Sequence, residues 1–340
     1  MVLLSDIQAS NSQISTLLPP GLVAIFVGGT SGIGEITLKK FAKHTLQPRI
    51  YIIGRSTSAA ERIIAECRIR NPEGEYIFMR SDVSLMKNVD EVCNTIKAKE
   101  KTVNLLFLSA GFPSIDGAET SEGLPLLTSL MIYSRARFIT NLLPLIRIAP
   151  SLRRIITVAG GGREGQIDPS DYPARHLSLL KMRAHAIAVI TLSMEALART
   201  APEVSFIHDY PGTVKTPLMD HDLGLIGVIL RVWIWLFGWW VCVPLEECGD
   251  RHLYLATSER FKPLKREGAD GVRSKDEVVA KGSNEERGSG VYSVGADCES
   301  GSEKSWKYLR EYRERGLVED VWKHIDGEFG RIERMRVGND

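Results

Sequence analysis

The chain has 340 residues, of which 44% are hydrophobic and 25% are charged, and its formal net charge is +1. This size suits one large α/β domain with appendages, and the near-zero charge gives no support for nucleic-acid binding, which usually needs a basic surface. The five cysteines form neither a Cys-x-x-Cys metal motif nor a paired disulfide framework, so we expect reduced thiols, no metal site and a cytoplasmic protein. We interpret residues 1–20 as a polar lead-in that lacks the features of a secretory signal.

From residue 21 onward, short apolar runs alternate with segments of helical character. Six runs are predicted as strands, at residues 23–27, 50–53, 76–80, 105–108, 154–158 and 204–208. Strands that alternate with helices imply right-handed crossovers and a parallel sheet. The sequence therefore predicts an α/β fold, a Rossmann-type doubly wound parallel sheet in a single domain at residues 21–261.

The first predicted strand ends in a glycine-rich turn, and a helical segment follows at once. Such a turn leaves backbone N–H groups unpaired beside the partly positive start of a helix, where a phosphate is stabilised. Glycines also allow a diphosphate to approach the backbone, which a Cβ would prevent. The turn therefore favours a dinucleotide site over an ordinary strand-to-helix turn. The residues predicted to form it are Gly28, Thr30, Ser31, Gly32, Ile33 and Gly34.

Residues 223–245 interrupt the alternation with a strongly apolar stretch that contains four tryptophans. Its length reaches the roughly 20 residues of a membrane span, but Arg231, Gly238 and Pro244 disfavour a continuous apolar helix. Three interpretations remain open: a hydrophobic lid over a substrate pocket, a peripheral membrane contact, or a true span. We prefer the lid, because a span would fall between elements of one soluble fold.

The C-terminal part of the chain changes composition twice. Residues 262–304 are rich in glycine, serine and charge, and are predicted to be a flexible surface insertion, with a late strand at residues 290–295. Residues 305–340 are predicted to be a helical extension, with a closing amphipathic helix at residues 305–325.

Three later motifs, in the right order, join the glycine turn in a resemblance to the short-chain dehydrogenase/reductase family over residues 22–261. They are Asp82-Val83, Ser109-Ala110-Gly111 and Pro211-Gly212-Thr213-Val214-x-Thr216. The resemblance implies that the first contacts the adenine, that the second corresponds to the family's NAG motif with serine in place of asparagine, and that the third contacts the nicotinamide side. The surrounding sequence resembles divergent fungal-type members linked to secondary metabolism.

The cofactor preference follows from the end of the second predicted strand. Sheets that bind NAD carry an acidic side chain there, which accepts a hydrogen bond from the ribose 2′-hydroxyl. This chain has no carboxylate at that place, and Arg55 and Ser56 follow the strand instead. A guanidinium forms charge-assisted hydrogen bonds with a phosphate, so the sequence favours NADP(H) over NAD(H).

The resemblance also implies four catalytic roles, of which only the lysine is present, as Lys181. The family's tyrosine, serine and asparagine would fall on Leu177, on Ala159 or Gly160, and on Met131. The tyrosine is the family's general acid, and the lysine lowers its pKa from near 10 and holds the ribose. Leucine cannot donate a proton, so a working reductase must recruit another group.

Two residues are candidates for that group. His185 lies four residues after Lys181 and shares its helix face, and histidine titrates near neutral pH. Tyr133 offers a phenol near the vacant asparagine position. Each also has a structural interpretation, as a buried residue with a local hydrogen bond. Further candidates in the same part of the chain are Tyr172, His176, Ser178, His208 and Asp209.

The preferred function is an NADP(H)-dependent oxidoreductase that acts on a bulky apolar small molecule, with Lys181 at the ribose. Two alternatives remain: a non-redox enzyme of the same fold, such as a cyclase, isomerase or lyase, and a non-catalytic binding protein. We expect no nucleic-acid partner. Membrane contact through residues 223–245 and a homo-oligomer are both left open.

Overall fold

A computed structural model describes residues 1–111, 117–214, 242–265, 270–273 and 278–337. Nine strands occur in these residues: β1 (Val23–Val27), β2 (Arg49–Gly54), β3 (Glu75–Arg80), β4 (Leu105–Leu108), β5 (Arg154–Val158), β6 (Ser205–Asp209), β7 (Thr213–Val214), β8 (Cys242–Val243) and β9 (Val291–Val294). Seven of them form one parallel sheet in the order β3-β2-β1-β4-β5-β6-β9, and β7 pairs with β8. The predicted doubly wound sheet is confirmed, and each predicted strand is present within one or two residues.

Helices cover both faces of the sheet. The α-helices of the described residues are α1 (Leu4–Ser12), α2 (Ile14–Leu17), α3 (Gly32–His44), α4 (Thr57–Arg70), α5 (Met86–Lys99), α6 (Leu126–Thr128), α7 (Ser134–Arg147), α8 (Leu179–Thr200), α9 (Leu245–Thr257), α10 (Glu303–Glu314) and α11 (Leu317–Val337), with α6 a single turn. A π-helical turn, Ser129–Tyr133, joins α6 to α7.

The alternation of side chains along β1 divides the core into two layers. Val23, Ile25 and Val27 face the helices α5, α7 and α8, whereas Ala24 and Phe26 face α3, α4 and α9. All five residues are buried, because a parallel strand in the middle of such a sheet is covered on both sides. This arrangement leaves the carboxyl ends of the strands open for a ligand.

The first 20 residues differ from the predicted polar lead-in. They form α1 and α2, whose Ile7 and Ile14 are fully buried in the core layer beside α9. The Asn11 amide donates a hydrogen bond to the Asp250 carbonyl of α9 at 2.9 Å. A few well-spaced apolar residues are enough to anchor these short helices, although the mean composition of the segment is polar.

Residues 262–304 also differ from the predicted flexible insertion, as far as they are described. The late strand predicted within them is present as β9, which lies beside β6 as the seventh strand, and its four residues are buried. Val272 and Ala280 are buried as well. The high content of glycine, serine and charge conceals the buried residues Val272 and Ala280.

The C-terminal extension is helical, as predicted, but it is broken in two. The chain leaves α10 through Gly316, which has a φ of +73° and resets the direction of the chain before α11. The apolar side of α11 packs against α8 and includes Val318, Val321, Ile325, Phe329 and Ile332.

The predicted lid or membrane segment lies mostly outside the described residues, which resume at residue 242. Within the described part of the chain, no helix combines the length and the apolar character that crossing a membrane requires.

Candidate active site

A cavity of about 280 Å³ opens at the carboxyl ends of β1, β2 and β4. Most of the predicted cofactor residues line this one cavity: Gly28, Thr30, Ser31, Gly32, Ile33, Gly34, Arg55, Asp82, Val83, Ser109, Ala110 and Gly111. Three of the four sequence motifs therefore meet at one place, although they are separated by tens of residues along the chain.

The glycines of the turn are required by close backbone contacts. Gly28 has a φ of +86°, and a Cβ on it would lie 2.6 Å from the Ala110 nitrogen. A Cβ on Gly34 would lie 2.3 Å from the Gly28 carbonyl oxygen. The start of α3 is thus packed directly against the turn after β1 and the end of β4.

The amino end of α3 has the properties of an anion site. Ser31 precedes the helix, and its side chain makes no capping hydrogen bond. The first N–H groups of a helix have no partner within it, and here they border the cavity through Gly32, Ile33 and Gly34. This geometry fits the diphosphate of a dinucleotide.

Arg55 and Ser56 follow β2 but have different positions. Arg55 is exposed and lines the cavity. Ser56 does not line it, because its hydroxyl caps α4 by accepting a hydrogen bond from the Ala59 N–H at 3.3 Å. Of the two residues predicted at the 2′-position of the ribose, the structure brings only Arg55 to the cavity wall.

Asp82 and Ser109 support the turns on either side of the cavity. The Asp82 carboxylate accepts a hydrogen bond from the Ser84 N–H at 3.0 Å, which holds the turn after β3. The Ser109 hydroxyl donates to the Val27 carbonyl at 3.2 Å, which ties the end of β4 to the end of β1. Serine in place of the family's asparagine therefore keeps a polar link between these two strands.

Arg135 of α7 is a site residue that the sequence reasoning missed. Its side chain is buried, and it donates hydrogen bonds to the carbonyls of Leu108, Ala110 and Val158 at 3.2, 3.0 and 2.9 Å. Burial lowers its pKa to about 10, which still leaves the guanidinium charged at neutral pH. Arg135 therefore fixes the ends of β4 and β5 beside the cavity. The sequence feature that could have revealed Arg135 is the presence of an arginine on the apolar side of a predicted helix.

Lys181 does not reach the cavity. It is exposed on the first turn of α8 and lines neither this cavity nor the neighbouring one. The predicted role of Lys181 at the ribose therefore stays a prediction. The position of the first turn of α8 could not be derived from the spacing of the motif alone.

His185 lies in the core, contrary to the expectation of a proton donor in the pocket. Its Nδ1 accepts a hydrogen bond from the Asp168 N–H at 3.1 Å, and its Nε2 lies 3.0 Å from the Tyr172 carbonyl, to which it donates. Burial lowers the pKa of His185, so the ring is neutral. Both nitrogens are occupied by the backbone, which leaves no free group for a substrate.

Tyr133 is also turned away from the cavity. Its ring is fully buried, and its hydroxyl lies 2.8 Å from the His324 Nε2 of α11. Burial raises the pKa of Tyr133 far above its usual value. The expectation that this phenol borders the pocket is therefore not met, because a histidine from the C-terminal helix holds it elsewhere.

His208 and Asp209 end β6 but point into the core. The Gly160 N–H donates to the His208 Nε2 at 3.1 Å, and burial lowers the pKa of His208 to about 3. The Asp209 carboxylate lies 2.9 Å from the His252 Nε2 of α9. Both residues thus connect the sheet to its covering layers.

The fourth motif lies beyond β6. Pro211 and Gly212 form the turn before β7, where Gly212 has a φ of +81°, and Val214 pairs with Val243 of β8. These residues do not line the 280 Å³ cavity. Thr216 lies outside the described residues.

A second cavity, of about 200 Å³, adjoins the first and shares Leu126 with it. Its apolar lining is Pro125, Leu126, Leu127, Ala174, Leu177, Leu179 and Met182. Its two charged residues, Glu119 and Arg175, form an ion pair with each other. The Thr128 hydroxyl in its wall donates to the Pro173 carbonyl at 2.9 Å. The cavity therefore offers an apolar surface whose polar groups are already paired.

Within the described residues, no cluster of histidine, cysteine, aspartate and glutamate is arranged to hold a metal ion.

Comparison with known proteins identifies relatives over nearly the whole chain. The family profile described as short chain dehydrogenase matches residues 22–131. An oxidoreductase of Emericella nidulans is 40% identical over 329 residues, which cover 96% of this chain and 97% of that protein. The oxidoreductase andH of Emericella variicolor is 36% identical over 320 residues, which cover 92% of each. The solved RhlG/NADP active-site complex of Pseudomonas aeruginosa has a similar fold, with a TM-score of 0.55 and 15% identity over 78% of this chain and 99% of that chain.

Proposed function

The chain belongs to the short-chain dehydrogenase/reductase family of oxidoreductases, and on that premise we propose that it uses NADP(H) to interconvert a carbonyl and an alcohol on a bulky apolar molecule. The observation that carries the proposal is the position of Arg55 in the wall of the cavity, at the end of a strand that lacks a carboxylate. The nicotinamide supplies the hydride in this chemistry. The protein binds and orients the cofactor and the substrate, and it excludes water.

The residues around the first cavity fit the parts of this cofactor. The N–H groups at the start of α3 would bind the diphosphate, and Arg55 would bind the 2′-phosphate. Asp82 and Val83 border the region where the adenine would lie. Arg135 would keep the backbone at Ala110 and Val158 in place beside the nicotinamide. Lys181 does not enter this proposal in its present position. The similar Pseudomonas structure is a complex with NADP, which agrees with this choice of cofactor.

The second cavity supports the apolar substrate. The described side chains of this cavity offer no unpaired hydrogen-bond partner to a polar group of a substrate. Such a group would lose its hydration without gaining a hydrogen bond, which would weaken the binding of that substrate. An apolar group would instead contact Leu126, Leu177 and Met182. Because the two relatives described above are fungal oxidoreductases, we further propose a role in fungal secondary metabolism.

Titration of the purified protein with NADPH and with NADH, followed by nicotinamide fluorescence, tests the cofactor. We expect NADPH to bind more tightly. A charge-assisted hydrogen bond contributes about 1.5–3 kcal/mol, so Arg55→Ala should weaken NADPH binding about 10- to 100-fold and change NADH binding little. Arg70→Ala, an exposed arginine on α4, is the matched control. Equal losses for the two nucleotides would refute the role of Arg55.

Turnover is measured next, by NADPH oxidation in the presence of apolar ketones of increasing size. The proposal predicts oxidation that depends on the ketone and that improves with apolar bulk. Tight NADPH binding without turnover of any ketone or alcohol would contradict the redox reaction while leaving the cofactor site intact.

A further inference from the structure

Carbonyl reduction needs a proton as well as a hydride, and the two cavities lack an obvious donor. Among the described residues that line them, there is no tyrosine, histidine, lysine or cysteine. The carboxyl groups present are Asp82, in the turn after β3, and Glu119, which is paired with Arg175. Among the described residues, a donor would therefore have to approach from elsewhere along the carboxyl edge of the sheet.

Tyr210 stands at that edge. It follows Asp209, the last residue of β6, and Asp209 lies opposite Val158, which lines the first cavity. The Tyr210 N–H donates to the Val294 carbonyl at 2.9 Å, so its backbone is fixed by β9. Its side chain is half-buried, and its hydroxyl has no hydrogen-bond partner among the described residues. Tyr210 also immediately precedes the Pro211-Gly212 turn, which the family resemblance associates with the nicotinamide.

A cation is stacked on this ring. The guanidinium carbon of Arg163 lies 3.7 Å from the centroid of the Tyr210 ring. Arg163 belongs to the loop after β5, the same loop that carries Ala159 and Gly160 in place of the family's serine. At this distance the guanidinium and the face of the ring attract each other by a cation–π interaction, which holds the phenol in one orientation.

The loop that carries Arg163 is held from several sides. The Arg163 N–H donates to the Gly160 carbonyl at 3.0 Å. The Gly160 N–H donates to His208 of β6, and the Gly162 N–H donates to the Ser293 hydroxyl of β9 at 2.6 Å. These bonds fix the backbone from which the guanidinium reaches Tyr210.

The other phenols in this part of the chain are less suited. The Tyr133 hydroxyl is bound to His324. The Tyr172 hydroxyl is buried without a partner among the described residues, and its ring packs on His324 at a centroid distance of 5.0 Å. Both therefore face the layer formed by α11.

We propose that Tyr210 is the catalytic acid of this enzyme, in place of the family's tyrosine, and that Arg163 positions its ring by cation–π stacking. This inference rests on the proposed function. In the reductive direction, the carbonyl carbon receives the hydride of NADPH while the carbonyl oxygen takes the proton of the Tyr210 hydroxyl. The products are the alcohol, NADP⁺ and the phenolate, which regains its proton from water. Oxidation of the alcohol follows the reverse path.

The kinetic test measures hydride transfer in a single turnover, together with NADPH affinity. Loss of a general acid costs about 10²- to 10⁴-fold in rate, so Tyr210→Phe should lose at least about 100-fold while its NADPH affinity stays within about twofold of wild type. Arg163→Gln should lose about tenfold, and Arg163→Lys should recover part of that loss. Tyr308→Phe, a half-buried tyrosine on α10, should match wild type.

A second readout does not depend on turnover. Tyrosines are nitrated with tetranitromethane and mapped by peptide mass spectrometry, with and without NADP⁺ and an alcohol. Tyr210 should be nitrated in the free protein and protected by the ligands, whereas Tyr308 should be nitrated equally in both conditions.

Three results would overturn the inference. In the first, the rate of hydride transfer by Tyr210→Phe is within about threefold of that of an active wild type, a decrease too small for the loss of a general acid. In the second, ligands leave nitration of Tyr210 unchanged. In the third, Tyr172→Phe abolishes transfer and Tyr210→Phe does not. A wild type that binds NADPH but reduces no ketone would instead remove the proposed function, and this inference with it.

Discussion

Leu177 stands where the family resemblance places the catalytic tyrosine, and its side chain forms part of the apolar wall of the second cavity. Leu177 therefore packs in the wall of the cavity and has no group that could transfer a proton. Packing also constrains Gly160, since a Cβ on it would lie 2.3 Å from the Ile187 side chain. A serine at Gly160 would therefore need new space.

Filling the second cavity should reduce substrate binding selectively. Leu177→Trp places a larger ring in a space of about 200 Å³. We expect the KM for bulky apolar ketones to rise about tenfold or more, since small changes in an apolar pocket discriminate by about 10- to 200-fold. NADPH affinity should not change, because Leu177 does not line the first cavity. The measurement is steady-state kinetics beside Ile69→Trp, an exposed position on α4. An unchanged KM would place the substrate elsewhere.

Arg135 is expected to matter for stability as well as for the site. Arg135→Met removes the hydrogen-bond donor from the carbonyls of Leu108, Ala110 and Val158, of which those of Leu108 and Val158 belong to buried residues. We expect the free energy of unfolding to fall by about 3 kcal/mol, because each buried group that loses its partner costs about 1–3 kcal/mol. Urea denaturation measures this, with Arg70→Met as the exposed control. A variant as stable as wild type would show that these hydrogen bonds contribute little.

The position of the glycine turn beside the first cavity was predictable, because such a turn depends on local backbone geometry. The catalytic residues were not. His185 and Tyr133 make hydrogen bonds to groups far along the chain, and their orientation depends on those partners. Arg135 was missed because its partners are backbone carbonyls, which leave no mark in the sequence.

At the scale of elements, α11 is joined to α5 and α7 by a charged cluster. The Asp90 carboxylate accepts hydrogen bonds from Arg137, Arg336 and Asn141 at 2.6–3.0 Å. Burial alone would raise the pKa of Asp90, but these bonds outweigh burial and hold it below its usual value. The cluster therefore stabilises the fold only while Asp90 is ionised.

This cluster predicts a pH dependence of stability with a definite sign. The folded-state pKa of Asp90 is depressed, so its contribution is present above the unfolded pKa near 4 and is lost as the pH falls through the folded value. Asp90→Asn should reduce the free energy of unfolding by about 2 kcal/mol at neutral pH, the usual contribution of hydrogen bonds to a charged group. The difference from wild type should shrink below pH 4 in urea denaturation. If the difference in the free energy of unfolding between Asp90→Asn and wild type stayed constant with pH, the stabilisation by Asp90 would not be electrostatic.

The strands were the most predictable elements, because buried parallel strands appear as short runs of apolar residues. The elements that composition obscured were α1 and α2, which are fixed by a few apolar side chains in a polar setting. The break between α10 and α11 depends on the backbone conformation of Gly316, and a continuous amphipathic pattern does not reveal it.

At the scale of the whole molecule, both ends of the chain cover the sheet. The helices α1 and α2 pack beside α9, and α11 packs against α8 on the opposite face. The family profile matches residues 22–131, whereas the 40% identical relative aligns with 96% of the chain, so that relative shares nearly the full length. The terminal helices belong to the architecture of this protein, and one of them supplies the histidine that binds Tyr133.

The central claim is that the turn after β1 binds the diphosphate of a nicotinamide dinucleotide and that Arg55 selects the 2′-phosphate. Calorimetric titration of the folded wild-type protein with NADPH, NADH and adenosine 2′,5′-bisphosphate tests it most directly. The account predicts saturable binding of NADPH, weaker binding of NADH, and competition between NADPH and the bisphosphate. The absence of binding heat for both dinucleotides, in protein whose fold has been verified by circular dichroism, would contradict it.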